Sequence, residues 1–418
     1  MFDQVVSYLQ QFNLLTTKRA SAESLFHSLS PTANPSASEV PFGSLDSSIV
    51  GLPPRLRSQM PVFAWTAMRL FRRIRAAESS GLACAEFCAL AALLSKGDWT
   101  ARSSLCGDCA GFGVDCFVED AASVVVGGVV SKEFVRFVLT QNQSSYDSER
   151  NVIVPTGFEY LDVWAPACPL FGSLWNAVFS KALLGVDPSP MPSITYPNPS
   201  TESLDPCLLS PCDVFILSSY IKRHRRRSSI STPDSNSPEH WPLIYSSNTH
   251  GKSWGSLMNY IESTGSLVLI IKDMKGNLFG AYIPTPLECS PKFRGNEEAF
   301  LFSIAPEWNV FTPTGNNSNY VYFNYGMATL PNGIGFGGQL NFFGLFLNTS
   351  LDSGECRCTP TSSTYGNPNL AAILLIEPKE VDDRLVPERV KRGGASVLNS
   401  HPIESALLEM AGRERYPC

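Results

Sequence analysis

The stretch LPNGIGFGGQLNFFGLFLN, Leu330–Asn348, decides which fold the second half of this chain adopts. Gly333, Gly335 and Gly338 have G-x-G-x-x-G spacing, which in a strand–turn–helix setting lays a dinucleotide pyrophosphate on a helix N-terminus. The flanks do not supply that setting. Pro331-Asn332-Gly333 is turn chemistry, with proline fixing φ and Asn-Gly supplying positive φ. QLNFFGLFLN, which follows, is rich in Phe, lacks a helix cap and reads as a strand. The glycines are therefore structural, with Gly337 and Gly338 allowing a tight backbone approach or a bulge between packed strands. No dinucleotide is expected, and no other cofactor.

Working outward, the same texture continues. SLVLIIKDMKGNLFGAYIP (Ser266–Pro284) is a β-branched run, a Lys275-Gly276 turn and a second strand, which is a hairpin signal. FLFSIAP, VYFNYG and FFGLFLNTS are further short strands separated by Gly, Pro and Asn. No regular repeat appears. This half reads as a mostly antiparallel β domain with few helices.

Upstream the pattern is helical. In MPVFAWTAMRLFRRIRAAE (Met60–Glu78), Phe63, Met68, Leu70, Phe71 and Ile74 recur mostly at spacings of three and four, with arginines around them. ACAEFCALAALLS is a second, apolar helix, and SKEFVRFVLTQNQSS opens with Ser131 as N-cap. Between the halves, VDPSPMPSITYPNPSTESLDP (Val186–Pro206) carries five prolines up to Pro199 and a sixth at Pro206. It reads as an interdomain linker, neither helix nor central strand. RRRSSISTPDSNSPE (Arg225–Glu239) reads as an exposed, flexible insertion. The organisation expected is a helical region over 1–185, a linker over 186–205, a β domain over 206–390 and a tail over 391–418.

At 418 residues, 44% hydrophobic and 17% charged, the chain is globular, and a net charge of −6 argues against covering nucleic-acid phosphates as its main business. The N-terminus carries Asp3 and lacks the basic and apolar regions of a secretory signal. The apolar runs Leu82–Leu94 and Ala121–Val130 fall short of the roughly 20 residues a spanning helix needs. A cytosolic protein is expected, its 12 cysteines mostly thiols.

Several constellations imitate known sites. Gly251-Lys252-Ser253 is half of a P-loop, but Ser246 stands where its first glycine belongs. Asp108–Glu119 copies a twelve-residue calcium loop at positions 1, 6 and 12 (Asp108, Gly113, Glu119). Ala110 and Phe112 occupy two ligand positions, so the loop is EF-hand-like in outline only. Cys84 and Cys88 with Cys106 and Cys109 have a spacing that can hold zinc, against which Cys84 and Cys88 form an i, i+4 pair suited to a helical core. KRHRRRSS (Lys222–Ser229) is a basic run followed by Ser228 and Ser229, a solvated loop or a phosphorylation site for a basophilic kinase. Of the five histidines only His250 lies in a dense polar context, and no nucleophile–base arrangement is evident.

Taken together, the second half resembles the TLDc domain, the module of the oxidation-resistance protein family. WPLIYSSNTHGKSW (Trp241–Trp254), containing Trp241, Ser246, Ser247, His250 and Gly251, is similar to the start of that domain. LVLIIKDMKGNLFGAY with Gly280, FRGNEEAFLFSIAP, and TGNNSNYVYFN with Gly315 and Asn319 continue the likeness. LPNGIGFGGQLNFFGLFLN, with Gly333, Gly335, Gly337 and Gly338, completes it, and the whole covers about Pro206–Ile376 in order. The EF-hand-like first half and the tail SVLNSHPIESALLEMAG (Ser396–Gly412) resemble the mTOR-associated branch of the family. In the tail, Pro402 starts a helix whose Ile403, Ala406, Leu407 and Met410 form an apolar stripe, equally suited to docking and to self-packing. One departure is EPKEVDDRLVPERV, where the family ends in an acidic residue followed by Val-Trp. Another is Met1-Phe2, where animal relatives carry a myristoylated glycine.

The resemblance implies an α+β protein: a helical, EF-hand-like N-terminal region, then a TLDc antiparallel β-sandwich with flanking helices and a C-terminal helix. It implies a non-enzymatic regulator that binds the cytosolic V1 sector of the vacuolar proton-pumping ATPase, with links to oxidative-stress resistance and mTOR-type lysosomal signalling. Its partners would be V1 subunits and mTOR-pathway proteins. Neither nucleic acid nor a membrane is expected as a direct partner, and a cytoplasmic position at the lysosomal or vacuolar membrane, with a nuclear pool, would follow. The contacts expected are Ile403, Ala406, Leu407, Met410 and the polar loop at Asn316–Asn319. A thiol-based antioxidant, acting through Cys356 and Cys358 or Cys106 and Cys109, is the alternative.

Overall fold

A computed structural model describes residues 16–29, 39–45, 52–72, 81–106, 112–141, 157–158, 160–186, 191–196, 207–227, 240–262, 264–356 and 361–370. Its first part is helical: α1 Thr16–Ser28, α2 Pro54–Arg57, α3 Met60–Arg72, α4 Cys84–Lys96, α5 Trp99–Cys106, α6 Val114–Val126, α7 Lys132–Thr140, α8 Leu161–Trp164 and α9 Pro169–Leu184. A small antiparallel pair, β1 (Glu39–Pro41) and β2 (Gly81–Ala83), lies among them.

The local chemistry explains these boundaries. The Ser131 side chain accepts the Phe134 amide at 3.1 Å, the N-cap its position in the sequence predicts. Helix α4 is apolar on nearly every side and buries Phe87, Leu90, Leu93 and Leu94, as a helix without a polar face must. Helix α9 starts with Pro169 at its first position and ends at Gly185 in the left-handed conformation. Between these elements Phe117, Phe171, Trp175 and Phe179 pack with centroids as close as 4.9 Å. The Trp175 indole N–H donates to the Leu94 carbonyl at 2.7 Å, which satisfies its one polar group in the core.

The second part contains two antiparallel sheets. One has the order β5-β6-β8-β9 and the other β13-β12-β11-β10-β7. Their strands are β5 Leu267–Lys272, β6 Leu278–Ile283, β7 Ser290–Arg294, β8 Phe300–Ala305, β9 Asn309–Phe311, β10 Val321–Asn324, β11 Gly333–Gln339, β12 Phe342–Asn348 and β13 Gly354–Glu355. The Lys275-Gly276 hairpin that the sequence predicts joins β5 to β6, with Leu267 facing Ile283 and Lys272 facing Leu278.

Strand β6 is buried on both faces, and so is most of β8. The period of two explains how. Phe279, Ala281, Ile283 and Leu301 point into the core shared with Val321, Phe323, Ile334, Phe336 and Leu345 of the other sheet. Tyr282, Phe300 and Phe302 point the other way, into the helical core. Helix α10 (Pro211–Arg227) and α7 meet them there, with Tyr220 at 6.0 Å from Phe300 and Phe137 at 5.5 Å from Trp308. The Trp308 indole donates to Asp213 at 2.9 Å in the same buried seam. The helices and both sheets thus form three packed layers around two cores.

Two stretches differ from their sequence reading. Within Val186–Pro206, Ser193–Thr195 forms strand β3, which pairs in parallel with β4 (His240–Pro242) through Ile194 and Trp241. A strand between prolines is tolerated here because its pair has two free edges among the described residues. The basic run does not begin a loop: helix α10 continues to Arg227, so the run from Lys222 to Arg227 lies in its last turns. Ser228 and Ser229 lie outside the described residues, as does the tail with Ile403, Ala406, Leu407 and Met410.

Candidate interaction surface

Each recognisable string of the β-rich half is occupied with holding backbone in place. In the first, Trp241 pairs with Ile194, and Ser246 caps the short helix α11 (Ser247–His250) by accepting the Asn248 amide at 3.3 Å. The Ser246 amide donates to His250 Nδ1 at 3.0 Å, and the imidazole lies against Tyr260 and Tyr245 at 4.5 and 5.7 Å. Tyr245 donates its hydroxyl to the Gly251 carbonyl at 2.6 Å, and Gly251 turns the chain at φ 79° toward α12 (Trp254–Ile261). His250, the histidine singled out by its polar surroundings, is a clamp for this turn. Gly280, on β6, leaves room for the Leu269 carbonyl and the Phe302 ring, which an added Cβ would meet at 2.0 and 2.8 Å.

The glycine string forms β11, a strand between β10 and β12, whose register does not shift from Gly333 facing Asn348 to Gln339 facing Phe342, although Gly337 drops out of the pairing. Close approach, and not a bulge, is what its glycines allow. An added Cβ on Gly335 would stand 2.6 Å from the Phe343 ring, and one on Gly333 2.2 Å from the Leu347 carbonyl. Gly337 and Gly338 take φ values of 66° and 72°, the left-handed region that costs other residues strain. That twist lends the Gly338 peptide groups to side chains. Its amide donates to Thr364 Oγ1 at 2.9 Å, and its carbonyl accepts from Asn319 Nδ2 at 2.7 Å.

The Asn316–Asn319 loop is joined to the glycine string through this network. Thr364 Oγ1 donates to Asn317 Oδ1 at 2.7 Å, and Asn317 Nδ2 donates to Ser363 at 3.0 Å. The Thr314 amide and hydroxyl donate to the Thr364 and Ser363 carbonyls, both at 2.8 Å. Gly315 begins the loop at φ 81° with open space around it. Tyr365 is buried beneath and donates to the Tyr320 carbonyl at 3.0 Å; burial pushes its phenol well above the usual range. Asn316 and Ser318 are exposed, while Asn317 and Asn319 are half-buried and turned inward. The loop expected as a contact thus presents Asn316 and Ser318 while Asn317 and Asn319 hold it in place.

Beside it lies a shallow groove lined by Pro291, Lys292, Phe293, Ser318, Asn319, Gln339 and Leu340. Phe342, next to the Leu340-Asn341 turn, is 54% exposed. Beneath the groove Phe293, Tyr322, Phe343 and Phe346 pack as an aromatic cluster, with centroids 4.7 to 5.8 Å apart. The surface is amide-rich and aromatic, with Lys292 the one charged residue of the lining. It can recognise a partner by shape and hydrogen bonding, and it holds no acid–base pair. Ser362–Asn367, the segment that anchors it, carries no sequence signal beyond that of a polar loop.

The other imitations resolve locally. Glu119 and Asp120, on α6, both take the Arg55 guanidinium, at 3.0 and 2.8 Å, so Glu119 is spent on a salt bridge. Asp108, Ala110 and Cys109 lie outside the described residues, as does Cys358. Cys88 and Cys106 are buried, and burial pushes the Cys88 thiol up to about 12. Cys356 is half-buried and sits between the Pro368 carbonyl and the Leu370 amide, at 3.6 and 3.4 Å.

Two sheets sharing one core, structural glycines at their centre and an ordered, amide-rich surface at one end make up a β domain covered on one side by helices. Residues 221–381 match the family model of the TLDc domain, and this part of the chain carries the likeness. It is 37% identical to the MTOR-associated protein MEAK7 of Homo sapiens over 180 residues, 42% of this chain and 40% of that relative. The counterpart of Mus musculus gives 38% over 186 residues, 43% and 41% of the two chains. Oxidation resistance protein 1 of Bos taurus gives 30% over 174 residues, 41% of this chain and 18% of the relative. The match thus spans about 40% of the length of the MEAK7 relatives.

Proposed function

We propose that this protein is a non-enzymatic regulator that binds the cytosolic V1 sector of the vacuolar proton-pumping ATPase through its TLDc surface. Through that contact it takes part in oxidative-stress resistance and in mTOR-type lysosomal signalling. The observation that carries the reading is the network of Asn317, Asn319 and Thr364 around Gly338. It spends the family's most recognisable residues on pre-ordering an amide-rich, aromatic surface, the arrangement a recognition module needs because ordering before contact lowers the entropy cost of binding. The names of the relatives, one mTOR-associated and one concerned with oxidation resistance, support the pathway. A cytoplasmic protein held at lysosomal or vacuolar membranes by its partner follows from this reading, with the Ile403–Met410 stripe as a second contact.

The test is affinity purification of the tagged full-length chain from native membranes, beside a Phe342→Glu variant and a version ending at Arg392. V1 subunits should accompany the full-length chain and fade with each change. Recovery of no pump subunits by any version overturns the proposal.

A further inference from the structure

Strand β7 (Ser290–Arg294), at one edge of its sheet, is irregular where it borders the groove. It takes four residue steps from Ser290 to Arg294 while β10 opposite takes two, from Phe323 to Val321, so Pro291–Phe293 bulge out of the ladder. Buried Ser290 fixes the bulge: its Oγ accepts the Lys292 amide at 3.2 Å and Arg294 Nε at 3.4 Å. Pro291 has no N–H and that of Lys292 is taken, so two of this edge's donors are lost to any further strand. A partner here is held by side chains and not by extension of the sheet.

The bulge sets Pro291, Lys292 and Phe293 in the groove wall, with exposed Arg294 next in the strand. Ser318, Asn319, Gln339 and Leu340 complete a cleft of about 550 Å³, and no carboxylate lines it. Neither Lys292 nor Arg294 has an ion pair among the described residues, although Glu297 and Glu298 follow within four residues of Arg294. Ser290 engages only Nε of Arg294, which leaves the paired Nη donors for a carboxylate. Two exposed cations thus stand at an amide-rich groove in a chain whose net charge is −6.

We propose that this groove takes an acidic segment of a partner protein. Its carboxylates meet Lys292 and Arg294, and an apolar side chain lies against Phe293, Leu340 and the 54% exposed Phe342. Charge complementarity selects such a segment, and the aromatic groups supply contact area. The assignment rests on this surface being the contact face, whichever protein supplies the segment.

The experiment is fluorescence anisotropy of the full chain with a labelled peptide carrying one phenylalanine among aspartates and glutamates. A counterpart with lysines in place of the acids and a labelled oligothymidylate accompany it. The acidic peptide should bind, less tightly as salt rises, and the basic one should not. Lys292→Glu and Arg294→Gln should each weaken binding about threefold to fivefold, the scale of an exposed charge pair, with thermal unfolding showing both variants folded. Lys132→Glu, exposed on α7, should change nothing. Absence of acidic-peptide binding, binding that both groove variants retain, or preference for the basic peptide or the oligonucleotide overturns the proposal. A chain that binds the acidic peptide in this way but recovers no pump subunits keeps the site and fails the V1 reading; one that binds V1 and not the peptide fails the site alone.

Discussion

Replacing Asp213 by alanine removes the acceptor that joins the helical half to the β-rich half. In the native structure one carboxylate oxygen accepts the Trp308 indole at 2.9 Å, and the other accepts the Ser210 amide at 2.7 Å at the start of α10. The substitution leaves a buried indole N–H without a partner, which costs about 1–3 kcal/mol. It also removes the returning bond of a capping box, worth about 1 kcal/mol, while Ser210 still caps the helix by accepting the residue-213 amide. The expected loss is about 2–4 kcal/mol in urea unfolding. Trp308→Phe keeps the ring contacts to Phe137 and Phe302 and loses one donor, a cost of about 1–2 kcal/mol. Because the two changes remove the same hydrogen bond, their effects should fall short of adding by about 1–2 kcal/mol in a double-mutant cycle. Additivity within about 0.5 kcal/mol would refute the claim that this bond carries coupling across the seam. Helix-sensitive and indole-fluorescence signals should also change together, since Tyr282, Phe300 and Phe302 belong to the helical core.

Other consequences follow from the same geometry. Gly338→Ala combines a positive φ with a carbonyl at 2.1 Å from the new methyl and should cost more than about 3 kcal/mol, whereas Gly315→Ala, in open space, should cost about 1 kcal/mol by thermal unfolding. Asn319→Ala should speed exchange of the Gly338 amide in hydrogen-exchange measurements, since it loosens the loop that Asn319 holds to the Gly338 carbonyl. Burial raises the Cys88 thiol from its ordinary 9.0 to about 12 and those of Cys168 and Cys212 to about 11. The unfolded chain releases these protons near pH 9 and the folded chain does not. Stability should therefore hold below pH 9 and fall above it, by up to about 1.4 kcal/mol per pH unit for each thiol until its folded value is reached. Under native conditions a thiol reagent should reach exposed Cys289 before any of these three.

The β half was legible because its strands alternate and its turns are marked: the Lys275-Gly276 hairpin and β8, β10 and β12 lie where their patterns place them. The three helices recognised upstream were legible from periodicity and, at Ser131, from a cap. What the sequence did not reveal is how these elements meet. Nothing in FLFSIAPEW indicates that Phe300, Phe302 and Trp308 leave the inter-sheet core for the helices, because both faces of β8 are apolar. The short β3 was hidden by its prolines, and the continuation of α10 by the charge of its last turns. For the candidate site, the glycines and Asn319 were visible as a pattern. Thr364 and Ser363, which lie 45 and 44 residues beyond Asn319, supply the geometry that turns the pattern into a surface.

Direct binding of the purified chain to purified V1 sector, followed by biolayer interferometry, tests the central claim. The account predicts that a variant with Cys106, Cys109, Cys356 and Cys358 replaced by serine binds as the unmodified chain does, and that Phe342→Glu, which should leave stability within about 0.5 kcal/mol, abolishes or strongly weakens binding. A chain that does not bind V1, or whose binding is lost with the cysteines and unaffected at Phe342, would contradict it.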